Sequence, residues 1–104
     1  MATHDLKNLK GSIVALVTPF AEDGSVDFDA MGKLIDFHVE NGTDAILVLG
    51  TTGESSTMSH DEDDAVCQFA VERIAGRVPV IAGSGSNCTQ TMLEKSLRYQ
   101  GFGV

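Results

Sequence analysis

An α/β fold built from repeated βα units is predicted by three features of this 104-residue sequence. Short apolar runs begin at Ile13, Ala45 and Val78, at intervals of 32 and 33 residues. The stretch between successive runs has the apolar spacing of a helix, and strands that alternate with helices are typical of a parallel sheet. The runs are continuous rather than alternating, which predicts strands covered on both faces.

The first two predicted helices carry clear start and stop signals. Asp27 is a predicted N-cap, and its helix is expected to end at Asn41-Gly42. The second helix is expected to begin at Ser59, because Ser59 and Glu62 have the spacing of a capping box. Gly76 marks its predicted end.

The third predicted helix follows Asn87, which is its expected N-cap. A fourth strand is expected to start within 101–104, where the chain reads Gly-Phe-Gly-Val. The buried face of the third helix is predicted to include Thr91, Met92, Ser96 and Leu97.

Three βα units and the start of a fourth strand correspond to part of a (β/α)8 barrel. Such a barrel distributes about 250 residues over eight units, or about 31 per unit. A free-standing sheet of three or four strands leaves open edges and gives its helices little to pack on. We therefore predict that residues 11–104 form a truncated TIM (β/α)8 barrel and that residues 1–10 form a separate leader. A small flavodoxin-like sheet uses similar units and stays open as an alternative.

The charge and composition exclude several classes of protein. Seven basic residues against 15 acidic ones give a net charge of -8, which repels nucleic acid and anionic membranes. The apolar runs are much shorter than the roughly 20 residues that span a bilayer. Residues 1–10 lack the features of a secretory signal, so a cytoplasmic location is expected. Two cysteines are too few for a disulfide framework or a zinc site.

The loop after the second predicted strand is the candidate functional site. Ligands of parallel sheets and barrels bind at the carboxyl ends of the strands, where this loop lies. Gly50 and Gly53 allow a close approach to the backbone. Thr51 and Thr52 place two hydroxyls and adjacent N–H groups where a small carboxylate can be held. A polar turn that hydrogen-bonds only to itself is the alternative interpretation.

Four segments together resemble the beginning of the dihydrodipicolinate synthase family. They occur in the family's order and spacing, and the Gly-Thr-Thr-Gly-Glu motif is the most specific of them. The resemblance extends from Gly11 to the end of the chain and leaves residues 1–10 outside it. The segments are Gly11–Phe20, His38–Thr43, Gly50–Ser55 and Pro79–Gly83.

The resemblance implies a (β/α)8 lyase that condenses pyruvate with aspartate semialdehyde on the diaminopimelate route to lysine. Pyruvate would form a Schiff base with a barrel lysine, without a metal or an organic cofactor, and the enzyme would be a homotetramer. Thr51 matches the family's proton-relay threonine, and Thr52 matches the residue that holds the pyruvate carboxylate. A hydroxyl suits both roles, because it accepts and donates protons.

The resemblance also implies an allosteric site for lysine. Two positions depart from the family pattern: Asp63 replaces a frequent His, and Thr91 replaces a frequent Glu. The change at Thr91 removes a carboxylate that would bind the lysine ammonium, although Asp63 offers a substitute, so we expect weakened or altered regulation by lysine. The residues that match the allosteric site are Ser55, Ser56, His60, Gly85 and Asn87.

The Schiff-base lysine has no counterpart in this sequence. Lys7 and Lys10 precede the first predicted strand, and Lys33 and Lys95 fall within predicted helices. The 104-residue chain is therefore expected to be inactive alone. Two other functions remain open: part of another pyruvate-dependent sugar-acid aldolase of the same superfamily, and a non-catalytic module for lysine binding or assembly.

Overall fold

Three parallel strands alternate with three helices in the computed structural model, which describes residues 4–104. Short 3-10 turns precede the first strand and the second helix. None of the helices within residues 4–104 is long and apolar enough to cross a membrane. The elements are β1 (Ile13–Ala15), α1 (Phe28–Glu40), β2 (Ala45–Val48), α2 (His60–Ile74), β3 (Val80–Ala82) and α3 (Thr89–Phe102).

The strand order decides between the two folds that the sequence left open. The order is β1-β2-β3, and Ile46 of the central strand pairs with Val14 on one side and Val80 on the other. In a flavodoxin-like sheet the first strand lies between the second and the third. Here each strand pairs with the next one along the chain, as in a (β/α)8 barrel. The predicted fold class, part of such a barrel, is confirmed.

The starts of α1 and α2 are as predicted. The Asp27 carboxylate accepts the Ala30 N–H at 3.0 Å. Ser59 and Glu62 form the complete capping box, in which each side chain accepts the other residue's N–H. These caps were predictable because each one depends on residues within a single turn of the helix.

The predictions for the start and the buried face of α3 are wrong. Cys88, and not Asn87, is the N-cap residue, and its N–H donates to the Ser86 hydroxyl at 3.1 Å. Lys95 and Tyr99 are the residues that α3 buries. The predicted face is half-buried at Thr91 and Ser96 and exposed at Met92 and Leu97.

The fourth strand expected at residues 101–104 does not form in the described chain. Helix α3 continues through Phe102, and Gly103 ends it with a φ of 103°. A left-handed residue of this kind is a common helix terminator, and glycine adopts it without steric cost.

The helices cover one face of the sheet. On that face Leu16, Ile46 and Val48 are almost fully buried and join one core with the inner residues of α1 and α2. On the opposite face Ile13 and Val17 are 44% and 50% exposed. The prediction that both faces are covered is therefore wrong for residues 4–104. In a closed barrel this second face is the interior, which the side chains of all eight strands fill.

A three-residue ion cluster joins α1 to the end of α2. Asp36 lies 2.6 Å from the Arg73 guanidinium and 2.9 Å from that of Arg77. Hydrogen bonds from Arg73 and then Arg77 lower the pKa of Asp36 from 3.8 to about 2. Because the pKa is lower in the folded state, the cluster stabilises the fold above about pH 4, and this stabilisation is lost as the pH falls toward 2.

Asp36→Asn is therefore expected to reduce the fall in stability between about pH 4 and pH 2. Urea denaturation of the chain at a series of pH values measures this slope. Glu40→Gln is the control, because Glu40 is exposed on the same helix and has no ion pair among the described residues. Equal acid slopes for the two variants would contradict the prediction.

Candidate functional site

The Gly-Thr-Thr-Gly-Glu turn directly follows β2 at the carboxyl edge of the sheet. Leu49 takes the left-handed conformation with a φ of 60°, which turns the chain away from the strand direction. The turn is then closed by backbone hydrogen bonds alone, from the Gly53 N–H to the Gly50 carbonyl at 3.1 Å and from Glu54 to Thr51 at 3.0 Å. The side chains between these bonds remain available for other contacts.

Thr51 and Thr52 are both exposed. Neither their hydroxyls nor their N–H groups make a hydrogen bond within residues 4–104. The turn therefore does not need these groups for its own structure, and they remain free to contact a ligand. Adjacent free N–H groups and hydroxyls are a common means of holding an anion.

The ends of all three strands meet around this turn. Thr18, just after β1, is buried, and its hydroxyl oxygen would lie 3.3 Å from a Cβ atom added at Gly53. Gly83, just after β3, packs against the carbonyl of Leu49. Thr18 was not among the site residues predicted from the sequence, although a hydroxyl residue at a predicted strand end is a signal for this edge of the sheet.

Gly83→Ala is expected to lower the free energy of unfolding by about 1–3 kcal/mol. A Cβ atom at this position would collide with the Leu49 carbonyl oxygen, and backbone atoms must move to relieve the collision. Urea denaturation measures the loss. Gly85→Ala is a matched control, because a Cβ atom there meets nothing within 4 Å. Equal stabilities of the two variants would show that the strand ends have room to adjust.

A second candidate site is a cavity of about 410 Å³ between the turn, the start of α2 and the loop before α3. All five residues matched to the allosteric site line this cavity, although they come from two separate stretches of the sequence, 55–60 and 85–87. The lining consists of Ser55, Ser56, His60, Gly85 and Asn87, together with Met58, Ser86, Thr91 and Lys95.

A buried ion pair, which sequence analysis did not predict, lies beside this cavity. Asp63 is fully buried, and its Oδ2 atom accepts from Lys95 Nζ at 3.0 Å. Burial raises the pKa of the Asp63 carboxyl, and the hydrogen bond and charge of Lys95 oppose this rise. Tyr99, one turn beyond Lys95, is buried as well, and burial also raises the pKa of its hydroxyl.

The pair had one signal in the sequence. Asp63 and Lys95 carry opposite charges and are 32 residues apart, which is one βα unit. Residues one unit apart lie on neighbouring helices, where their side chains are able to meet. Which face of α3 points inward is a separate question that spacing does not answer.

The four lysines all lie away from the carboxyl ends of the strands. Lys7 is in a 3-10 turn and Lys10 lies in the loop before β1, whereas Lys33 and Lys95 are on α1 and α3. Neither cysteine forms a disulfide bond: Cys67 is buried, which raises the pKa of its thiol to about 12, and Cys88 is exposed.

A family model described as the dihydrodipicolinate synthetase family matches residues 8–104. The chain belongs to this family. Among dihydrodipicolinate synthetase family members, the 4-hydroxy-tetrahydrodipicolinate synthase of Alkaliphilus oremlandii is 54% identical over 95 residues, which are 91% of this chain and 32% of the relative. That of Aquifex aeolicus is 64% identical over 80 residues, or 77% of this chain and 27% of the relative.

Solved structures of family members have the same fold. Dihydrodipicolinate synthase from Aquifex aeolicus matches with a TM-score of 0.88 and 55% identity, over 90% of this chain and 32% of that one. The chloride-inhibited enzyme from Acinetobacter baumannii, complexed with pyruvate, matches with a TM-score of 0.90 and 41% identity, over 92% and 33%. The chain thus spans about a third of the length of the relatives it matches.

Proposed function

We propose that this chain is the N-terminal part of a 4-hydroxy-tetrahydrodipicolinate synthase. Such an enzyme joins pyruvate to aspartate semialdehyde through a Schiff base, on the diaminopimelate route to lysine. The main support is the turn after β2, which presents two exposed threonines with free hydroxyls at the carboxyl edge of the sheet. Membership of a family whose relatives carry this enzyme name also supports the proposal.

Pyruvate would bind at this turn through its carboxylate. Thr52 would donate hydrogen bonds to the carboxylate from its hydroxyl and its N–H. Such local donors are needed here because the chain's net charge of -8 repels anions at long range. Thr51 would pass protons, since its hydroxyl both accepts and donates. No metal or organic cofactor is required for these steps, because the amine of a lysine supplies the covalent chemistry.

The Schiff-base lysine is expected to come from a part of the barrel that this sequence does not contain. The test is a chimera in which residues 8–104 replace the matching third of the Aquifex aeolicus synthase. Borohydride reduction with pyruvate, followed by intact-mass measurement, should detect a stable adduct on the chimera and none on the 104-residue chain. A folded chimera without an adduct, or an adduct on the chain alone, would contradict the proposal.

Thr52→Val in the chimera is expected to weaken pyruvate binding by about 10- to 100-fold. A hydrogen bond to a charged group contributes about 1.5–3 kcal/mol, and valine removes the donor while keeping the shape of the side chain. Calorimetric titration with pyruvate measures the change. Thr52→Ser is the control because it keeps the hydroxyl; equal affinities of the two variants would show that the Thr52 hydroxyl does not hold the carboxylate.

We further propose that the cavity lined by Ser55, Ser56, His60, Gly85 and Asn87 is an effector site for lysine, in a cytoplasmic homo-oligomer such as the family's tetramer. The convergence of these five residues on one cavity supports the site. Regulation is expected to be weakened, because Thr91 lines the cavity without a carboxylate.

A further inference from the structure

Lys95 lines the cavity, but its ammonium group points into the protein interior. Its side chain is only 8% exposed, and its ammonium lies 3.0 Å from Oδ2 of the fully buried Asp63. The second oxygen of Asp63, Oδ1, has no hydrogen-bond partner in the described part of the chain. One ammonium and one carboxylate are thus already paired at the edge of a cavity that has room for a ligand.

The residues that line the cavity offer an ammonium group no acceptor as strong as the Asp63 carboxylate. Its nine lining residues within the described chain include no aspartate or glutamate. Two carboxylates of α2 are engaged elsewhere: Glu62 accepts from the Ser59 N–H at 2.9 Å, and Asp64 lies 3.0 Å from Arg98. A cationic ligand that entered beside Lys95 would bring a second ammonium to one buried carboxylate, and burying an unpaired charge is costly.

From this arrangement we infer that Lys95 determines the specificity of the cavity. Its ammonium occupies the position on Asp63 that the ammonium of a free ligand would otherwise take. The side chain thereby acts as a built-in competitor, and the cavity binds lysine and other primary ammonium ligands more weakly than it would without Lys95. This inference rests on the effector site proposed above.

The inference predicts chemical rescue of a Lys95→Ala variant. Alanine keeps the Cβ atom, so n-propylammonium has the atoms that the variant lacks: three carbons and the ammonium nitrogen. This cation should bind beside Asp63 and raise the melting temperature of Lys95→Ala by about 5 °C relative to sodium chloride at equal ionic strength. Free lysine should bind Lys95→Ala at least about tenfold more tightly than it binds the unchanged chain, because the competing ammonium is gone.

Two matched variants control the experiment, in which thermal unfolding and calorimetric titration are measured on the full chain. Lys33→Ala removes the same charge from an exposed position on α1 and should respond to neither ligand. Asp63→Asn/Lys95→Ala removes both charges of the pair and should also respond to neither, because the neutral amide is a weaker acceptor for an ammonium.

Failure of the inference is distinguishable from failure of the effector-site proposal. If the unchanged chain binds lysine as tightly as Lys95→Ala does, the inference is overturned and the effector site stands. If lysine binds to neither protein, even though propylammonium stabilises Lys95→Ala, the effector-site proposal is wrong and the inference about lysine fails with it. A Lys95→Ala chain that neither ligand stabilises or refolds overturns the inference.

Discussion

Thr51→Val is expected to lower kcat of the chimeric synthase by about 10²- to 10⁴-fold, the usual contribution of a positioned proton-transfer group. The fold should be unaffected, because the Thr51 hydroxyl is exposed and makes no hydrogen bond within residues 4–104. An unchanged melting temperature together with a large loss of rate would therefore identify a chemical role for Thr51.

The rate is measured by steady-state kinetics with pyruvate and aspartate semialdehyde. Thr51→Ser keeps the hydroxyl and should retain most of the activity. If Thr51→Val and Thr51→Ser have equal kcat values, the hydroxyl takes no part in proton transfer, and the Thr51 assignment is wrong even where the chimera is active.

Asp63→Leu is expected to lower the free energy of unfolding by about 3–5 kcal/mol. The substitution leaves the Lys95 ammonium buried without its partner, and an unpaired buried charge is strongly destabilising. Guanidinium chloride denaturation of the chain measures the loss.

The double variant Asp63→Leu/Lys95→Met provides the control. It replaces both charges with apolar groups of similar size, and such replacements of buried pairs are often neutral or stabilising. We expect it to recover most of the stability lost in Asp63→Leu. A double variant as unstable as the single one would show that packing around Asp63, and not the unpaired charge, causes the loss.

Local signals predicted the elements of the fold well. The caps at Asp27 and Ser59 need only residues within one helical turn, so the sequence contains everything that forms them. The spacing of the apolar runs predicted the βα units for a similar reason, since a strand, a helix and two short loops have a nearly constant length. Spacing alone did not distinguish the barrel from a flavodoxin-like sheet, because the two differ only in which strands pair.

The buried face of α3 shows where local reasoning fails. Apolar spacing selected Met92 and Leu97, yet both are exposed, and the helix instead buries Lys95 and Tyr99. A lysine is almost never buried unless it is paired, so its partner on α2 must be known before the inward face can be identified. That partner, Asp63, is 32 residues away in the sequence.

For the candidate sites, the sequence by itself determined the position of Thr51 and Thr52, because a loop that follows a parallel strand lies at the edge where ligands bind. Only the tertiary structure brought Gly83 against Leu49, gathered five separate residues around one cavity and paired Lys95 with Asp63. The physical reason is the separation along the sequence of the groups that interact. Turns and caps depend on neighbours in the chain, whereas collisions, cavities and buried ion pairs depend on groups that only folding brings into contact.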